Sequence, residues 1–238
     1  MQERVYNQLR KSFLNSRFLP GQTLTLRGLA ELTGTSVQPV REALQRLCAE
    51  GALVWLPNTA FRVPEIDPAR YRELWQIRML LEGYSTSLAA SRIPADSLAQ
   101  LAQINREMRE AMRRSDGETV LRLNRDFHFA IYGASNSPVL VSLIEMIWMQ
   151  ISPLFAAFTQ RELSHAQADA PRKTPAAAAE DFFQLQDEIM EALAAHKPDQ
   201  AESALRRELE LSATLFSRSL GDIAPKVDAS KSRPRRHR

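Results

Sequence analysis

Cysteine is almost missing from this chain of 238 residues. The single thiol, Cys48, excludes an internal disulfide and a zinc cluster built on cysteines, and its place on an apolar-periodic segment reads as packing. Three chemical signatures are missing as well: a glycine-rich phosphate loop, a GxSxG serine elbow and an HExxH zinc pair. Nothing therefore points to a nucleotide hydrolase, a serine hydrolase or a zinc protease. No run of about 18 apolar residues stands out, and the opening MQERVYNQLRK lacks the apolar stretch of a secretory signal, so a cytoplasmic protein with no membrane partner is expected. Hydrophobic residues make up 44% and charged residues 25%, ordinary for a globular chain long enough for two cored domains.

What is present is concentrated between Leu29 and Val63. The stretch LAELTGTSVQPVREALQRLCAEGALVWLPNTAFRV spells a helix, a tight turn, a second helix and a short β-ribbon. Gly34 supplies a permissive turn, Ser36 is expected to cap the following helix through its hydroxyl, and Pro39 falls in the first turn where its missing N–H is tolerated. Along that second helix Val40, Ala43, Leu44 and Leu47 share one face, which leaves Gln38, Arg41, Gln45 and Arg46 outside. This is the layout of a winged helix-turn-helix, whose second helix can enter a major groove, so duplex DNA is the expected partner.

The surrounding segments complete such a domain. A first helix is expected from about Gln2 to Ser16, burying Val5, Leu9, Phe13 and Leu14, followed by the turn FLPGQTL. Thr25 can cap a helix starting near Leu26, on which Leu26, Leu29, Ala30 and Leu32 pack. Strands over Ala52–Leu56 and Ala60–Val63 flank the wing tip PNT. After the linker VPEIDP, residues 68 to 220 read as about six helices and no strand, broken near Ile93-Pro94, Ser115-Asp116-Gly117, Ser135 to Pro138, Ser164 to Pro175 and Lys197-Pro198. The fold class is thus mainly α: residues 1–66 form a winged helix-turn-helix, 67–222 an all-α bundle, and 223–238 a basic tail.

The net charge of +3 is unevenly spread. Residues 1–66 carry eight Lys and Arg against five acids, and the tail from Lys226 carries six against Asp228, so the middle of the chain is acidic. A basic amino-terminal module beside an acidic body suits a DNA-binding regulator better than a general nucleic-acid coat.

Several polar residues fall on apolar helix faces of the second domain. Arg78 lies among Leu74, Leu81 and Leu88; Asn124 and His128 lie one turn apart among Val120, Phe127 and Ile131. Gln186 is in line with Phe182, Ile189 and Leu193, and Glu208 with Ala201, Leu205 and Leu215. Five inward polar groups on four helices suggest a shared polar cavity that binds a small molecule. A buried Arg78–Glu208 ion pair, with the other three as hydrogen-bonding neighbours, is the alternative. His165, His196 and His237 belong to connections and the tail. Trp55, Trp75 and Trp148 read as packing, with Trp148 either a pocket wall or part of a dimer face.

The motifs LPGQTL, LAELTGTS, PVREALQRL and EGAL followed by PN, together with RMLLEGYSTSLAA and NRDFHFAIYGASNSPVL, resemble the GntR-type bacterial transcription regulators of the class with an all-helical, FadR-like domain called FCD. The resemblance implies a homodimer that binds a near-palindromic operator, most often as a repressor, and a small-molecule effector held in the bundle. It places Arg27, Ser36, Arg41, Asn58 and Thr59 at DNA-facing positions, with Val37 and Gln38 beside them on the recognition helix. Val37 stands where many members have arginine, and Ala60 where they have glycine, so an altered operator half-site is expected. For Arg41 the competing expectation is a salt bridge with Glu42 or Glu50.

Many FCD domains hold a divalent metal through an Asp four residues before a His, plus two further histidines. Here His128 matches the first histidine, while Asn124, Gln186 and Glu208 replace the other ligands. A zinc or nickel ion on His128, Asn124 and Glu208 is one expectation. The other is an organic acid bound directly, Arg78 clamping its carboxylate and Asn124, His128 and Gln186 fixing its orientation, with Glu208 in the same site able to meet a positively charged group on the ligand. A helical metabolite- or metal-binding protein or enzyme with an incidental basic domain is the alternative function.

Overall fold

The structure, a computed structural model, describes residues 1–57, 60–65, 67–167 and 176–223, with side chains described for all of these except 162–167, 176–178 and 217–223. α1 (Gln2–Leu14) turns Val5, Tyr6, Leu9 and Phe13 inward. That spacing gives one apolar stripe along a helix. β1 (Thr23–Thr25) runs directly into α2 (Leu26–Thr33), and the Thr25 hydroxyl accepts the Gly28 amide at 3.2 Å as the expected cap. Gly34 closes α2 at φ 62°, a left-handed conformation that glycine reaches without a Cβ clash. α3 (Val37–Ala49) then packs Val40, Ala43, Leu44 and Leu47 against α1 and α2.

Three local expectations differ from what forms. Ser36 is the N-cap residue of α3 in extended conformation, but its hydroxyl makes no capping bond. Pro39 occupies the third helical position and has no N–H to donate, which removes the usual partner of such a cap. Leu32 is 72% exposed rather than packed, because α2 turns Thr33 inward instead and its hydroxyl bonds the Leu29 carbonyl at 2.7 Å. The wing strands, β2 (Val54–Leu56) and β3 (Ala60–Arg62), are shorter than the apolar alternation implies, since Ala52 and Leu53 bury in the domain core. β1, not foreseen, pairs with β3 to give an antiparallel sheet in the order β1-β3-β2. Trp55 is half exposed and lies against Phe61 with ring centroids 5.1 Å apart.

The second domain is helical throughout its described residues. α4 (Pro68–Ala90) starts on Asp67, whose carboxylate accepts the Ala69 and Arg70 amides, each at 2.8 Å. α5 (Ala95–Arg113), α6 (Gly117–Ala134), α7 (Pro138–Gln167), α8 (Ala176–Ala194) and α9 (Pro198–Ile223) follow. α9 packs on α4 and α8, and α5 on α6. Contrary to the expected lack of a long apolar run, Pro138–Arg161 has a mean hydropathy of 1.7 and is long and apolar enough to cross a membrane by length and composition. Its apolar side chains are shared between two cores: Trp148 is buried among the helices of the second domain, and Met149 is fully buried in the core of the first.

Candidate functional site

α3 presents its polar face away from the first core. Ser36 and Gln38 are exposed, and Val37 and Arg41 are partly so. Gln38 donates to Glu42 at 2.8 Å, while Glu50 accepts from the Tyr6 hydroxyl at 2.7 Å and from Arg46 Nε at 3.3 Å. With both acids engaged elsewhere, Arg41 has no ion-pair or hydrogen-bond partner among the described residues. Arg27, exposed at the start of α2, is likewise without a partner there. Arg46 differs: its guanidinium lies 3.7 Å from the Tyr6 ring centroid and pairs with Glu3 and Glu50. Burial and the bond to Glu50 push the Tyr6 hydroxyl up to about 12, so Tyr6 stays a donor. Asn58 and Thr59 lie outside the described residues.

Four of the inward polar residues expected in the second domain, Arg78, His128, Gln186 and Glu208, meet in a chain of contacts, whereas Asn124 is only partly buried and has no hydrogen bond or ion pair among the described residues. Arg78, 3% exposed, grips Glu82 through Nε at 2.5 Å and Nη2 at 3.1 Å. Glu82 also accepts from the Tyr132 hydroxyl, and from Trp148 Nε1 at 3.0 Å. The guanidinium is boxed by aromatic rings, 4.8 Å from Trp75, 5.0 Å from Trp148 and 5.6 Å from Phe155. Burial pulls Arg78 toward neutrality, but the adjacent Glu82 carboxylate outweighs this and holds its pKa above the ordinary value. Burial, reinforced by Glu82, raises Tyr132 well above the usual phenol range. Arg78, expected to receive an effector carboxylate, therefore already holds one from its own helix.

His128 links this group to a second one. Its Nδ1 lies 3.2 Å from the Tyr132 hydroxyl and its Nε2 3.3 Å from Glu208 Oε1. Gln186 donates from Nε2 to the same oxygen at 3.3 Å. Glu208 Oε2, Gln186 Oε1 and Asn124 Oδ1 are buried without a hydrogen-bond partner. The carboxylate partner of Arg78 is thus Glu82, not Glu208, and neither Glu82 nor Tyr132 stood out from the sequence. Trp148 is a wall of this buried site rather than an exposed face. His196 is exposed with its Nδ1 2.8 Å from the Ala90 carbonyl; the side chain of His165 and all of His237 lie outside the described residues.

The same residues decide whether a metal fits. His128 supplies one ring nitrogen and Glu208 one carboxylate, the remaining positions being the amides of Asn124 and Gln186. No three His, Cys, Asp or Glu side chains converge as a metal-holding group among the described residues. Amides are weak ligands for zinc- or nickel-like ions, so this donor set does not fit a tight site.

The two regions are joined at α7. Beside Trp148 and Met149, Gln150 donates to the Glu50 carbonyl at 3.2 Å and accepts from Arg70 Nη2 at 2.7 Å. Gly51 follows Glu50 at φ 76°, and a Cβ there would stand 3.1 Å from the Gln150 amide. Arg10 of α1 pairs with Glu145 one turn earlier on α7. The C-terminus of α3 thus rests on the helix that donates Trp148 to Glu82.

A winged helix-turn-helix with an unpaired outward arginine, set on a helical domain with a polar interior, defines a DNA-binding transcriptional regulator. The chain matches the gntR family of bacterial regulatory proteins over residues 1–63 and the FCD domain over residues 73–211. It is 36% identical over 163 residues to the HTH-type transcriptional regulator McbR of Escherichia coli (strain K12), covering 67% of this chain and 74% of that protein. It is 31% identical over 151 residues to the Nta operon transcriptional regulator of Aminobacter aminovorans, covering 63% of this chain and 71% of that one. The solved E. coli McbR/YncC structure superposes with a TM-score of 0.79 at 28% identity, covering 92% of this chain and 97% of that one. The chain belongs to the GntR family of transcriptional regulators, in the class with an FCD domain, and these relatives are regulators rather than enzymes.

Proposed function

We propose that the protein is a dimeric repressor that binds a near-palindromic operator and responds to a small molecule in its helical domain. The observation that carries this reading is Arg41: a guanidinium on the outer face of α3 with no partner among the described residues, beside exposed Gln38 and Ser36. An arginine free of intramolecular pairs is the commonest reader of guanine edges in the major groove, and Val37 can contact a thymine methyl. Arg27, Ser36 and the Asn58-Thr59 wing tip supply phosphate and groove contacts in this scheme.

A second copy is part of the reading, because a palindrome needs two recognition helices about 34 Å apart. α4 carries Ile77, Leu80 and Tyr84 as an exposed apolar stripe, with Leu80 62% and Tyr84 57% exposed. Such a stripe at helical spacing is the kind of surface that a subunit contact covers. The effector's place is the buried group around Asn124, His128, Gln186 and Glu208, where polar atoms lack partners.

Capture of genomic DNA fragments by the purified full chain, with its mass read by light scattering, tests the proposal. Enrichment of one inverted-repeat sequence by a dimer is expected. Uniform recovery of all fragments, or a monomer bound to a single half-site, contradicts it.

A further inference from the structure

The interior of the helical domain has donors and acceptors out of balance. At Glu82 the count closes: its carboxylate receives two guanidinium bonds, a phenol and an indole N–H. Around Glu208 it does not. Glu208 is 1% exposed and Gln186 fully buried, yet Glu208 Oε2 and Gln186 Oε1 lack a donor, as does Asn124 Oδ1, one turn before His128 on α6. Each of these is an acceptor, and one is a carboxylate oxygen that cannot be turned into a donor by flipping an amide. A buried acceptor without a donor is costly, and more so when charged.

His128 does not repair this. Tyr132 has one proton and gives it to Glu82, so the ring serves Tyr132 through an Nδ1–H. Its Nε2 faces Glu208 Oε1, which leaves Oε2 unserved in either state of the ring. A ligand carboxylate entering here would add acceptors to acceptors, and the only buried guanidinium among the described residues is held by Glu82 inside its aromatic box.

Resting on the effector reading above, the geometry points to an organic cation, a small molecule with a primary ammonium group, as the occupant of the Asn124, Gln186 and Glu208 site. An ammonium offers three N–H donors and no acceptor, matching three unserved oxygens, one of them on a carboxyl group. A divalent metal is disfavoured by the same inventory, since two of the three oxygens belong to neutral amides.

Thermal unfolding of the full chain tests this, with ethanolamine and putrescine as amine probes, succinate as the carboxylate probe and zinc chloride as the metal probe. An amine should raise the melting temperature by about 3–6 °C at ~ten times its dissociation constant. Glu208→Gln should abolish that rise, and without ligand should melt no lower than the wild type because it removes an unserved buried charge. A rise with succinate or zinc but not with amines overturns the cation while leaving the effector reading standing. So does an equal amine response in Glu208→Gln, or a large loss of unliganded stability in that variant. If no probe shifts the transition, the cation is overturned. The effector reading then falls separately if a small-molecule cell extract leaves operator binding unchanged.

Discussion

Two arginine–glutamate pairs, each spanning four residues of one helix, mark the two regions of this molecule. Arg46–Glu50 sits on the outer side of α3 with its arginine half exposed, and Arg78–Glu82 sits wholly inside the helical domain. The sequence spacing is the same, but the surroundings reverse what the pair is for. On α3 water competes for both charges, so the pair trims the helix end and leaves Arg41 unengaged. Inside the bundle neither charge has water, and each needs every bond the other supplies.

Breaking the inner pair should have the largest effect. Arg78→Met leaves Glu82 buried with only Tyr132 and Trp148 as donors, and should cost about 3–5 kcal/mol of stability by denaturant unfolding, followed through tryptophan fluorescence. A loss below ~1 kcal/mol would mean the carboxylate escapes to water, and the two regions would not differ as described. Next comes the joint between them. Gly51→Ala forces a side chain into a left-handed position and against Gln150, for about 1–2 kcal/mol. Pairing it with Gln150→Ala should recover the contact part but not the backbone part. If the double variant recovers nothing, the α3–α7 contact is not what Gly51 accommodates. Smallest is Arg46→Ala, which removes an exposed pair and a contact with the Tyr6 ring and should cost no more than ~1 kcal/mol in the same unfolding assay.

How much of this was legible in the residues follows the same division. In the first domain the helix spacing of Val40, Ala43, Leu44 and Leu47, the Thr25 cap and the Gly34 turn all appear as read, because each depends on neighbours within a few positions. The misses there have local or distant causes: Pro39 removes the Ser36 cap, while β1 needs β3, far along the chain. In the second domain the helices were legible from their breaks except at Ser164 to Pro175, where α7 continues to Gln167 and residues 168–175 lie outside those described, and Arg78, His128, Gln186 and Glu208 do lie in the interior. Their partners were not. α4 buries Glu82, Ser85 and Thr86 as well as Tyr71, Leu74 and Trp75, so apolar residues alone do not mark its inner face. The one available signal was Glu82 four residues after an already suspected Arg78, a spacing that lets the two side chains meet on one helix. Met149 could not be assigned to the first core from its own segment, since that depends on how the two domains dock.

The reading of Arg41 as the free probe of α3 is tested most directly by the ratio of operator to random-DNA affinity, measured for the wild type and Arg41→Ala in the same salt. Loss of one base-reading arginine should lower operator affinity by about 1–3 kcal/mol while random-DNA binding falls far less, so the ratio collapses. An unchanged ratio in Arg41→Ala, with both affinities falling together, would make Arg41 a phosphate contact and contradict its role in reading sequence.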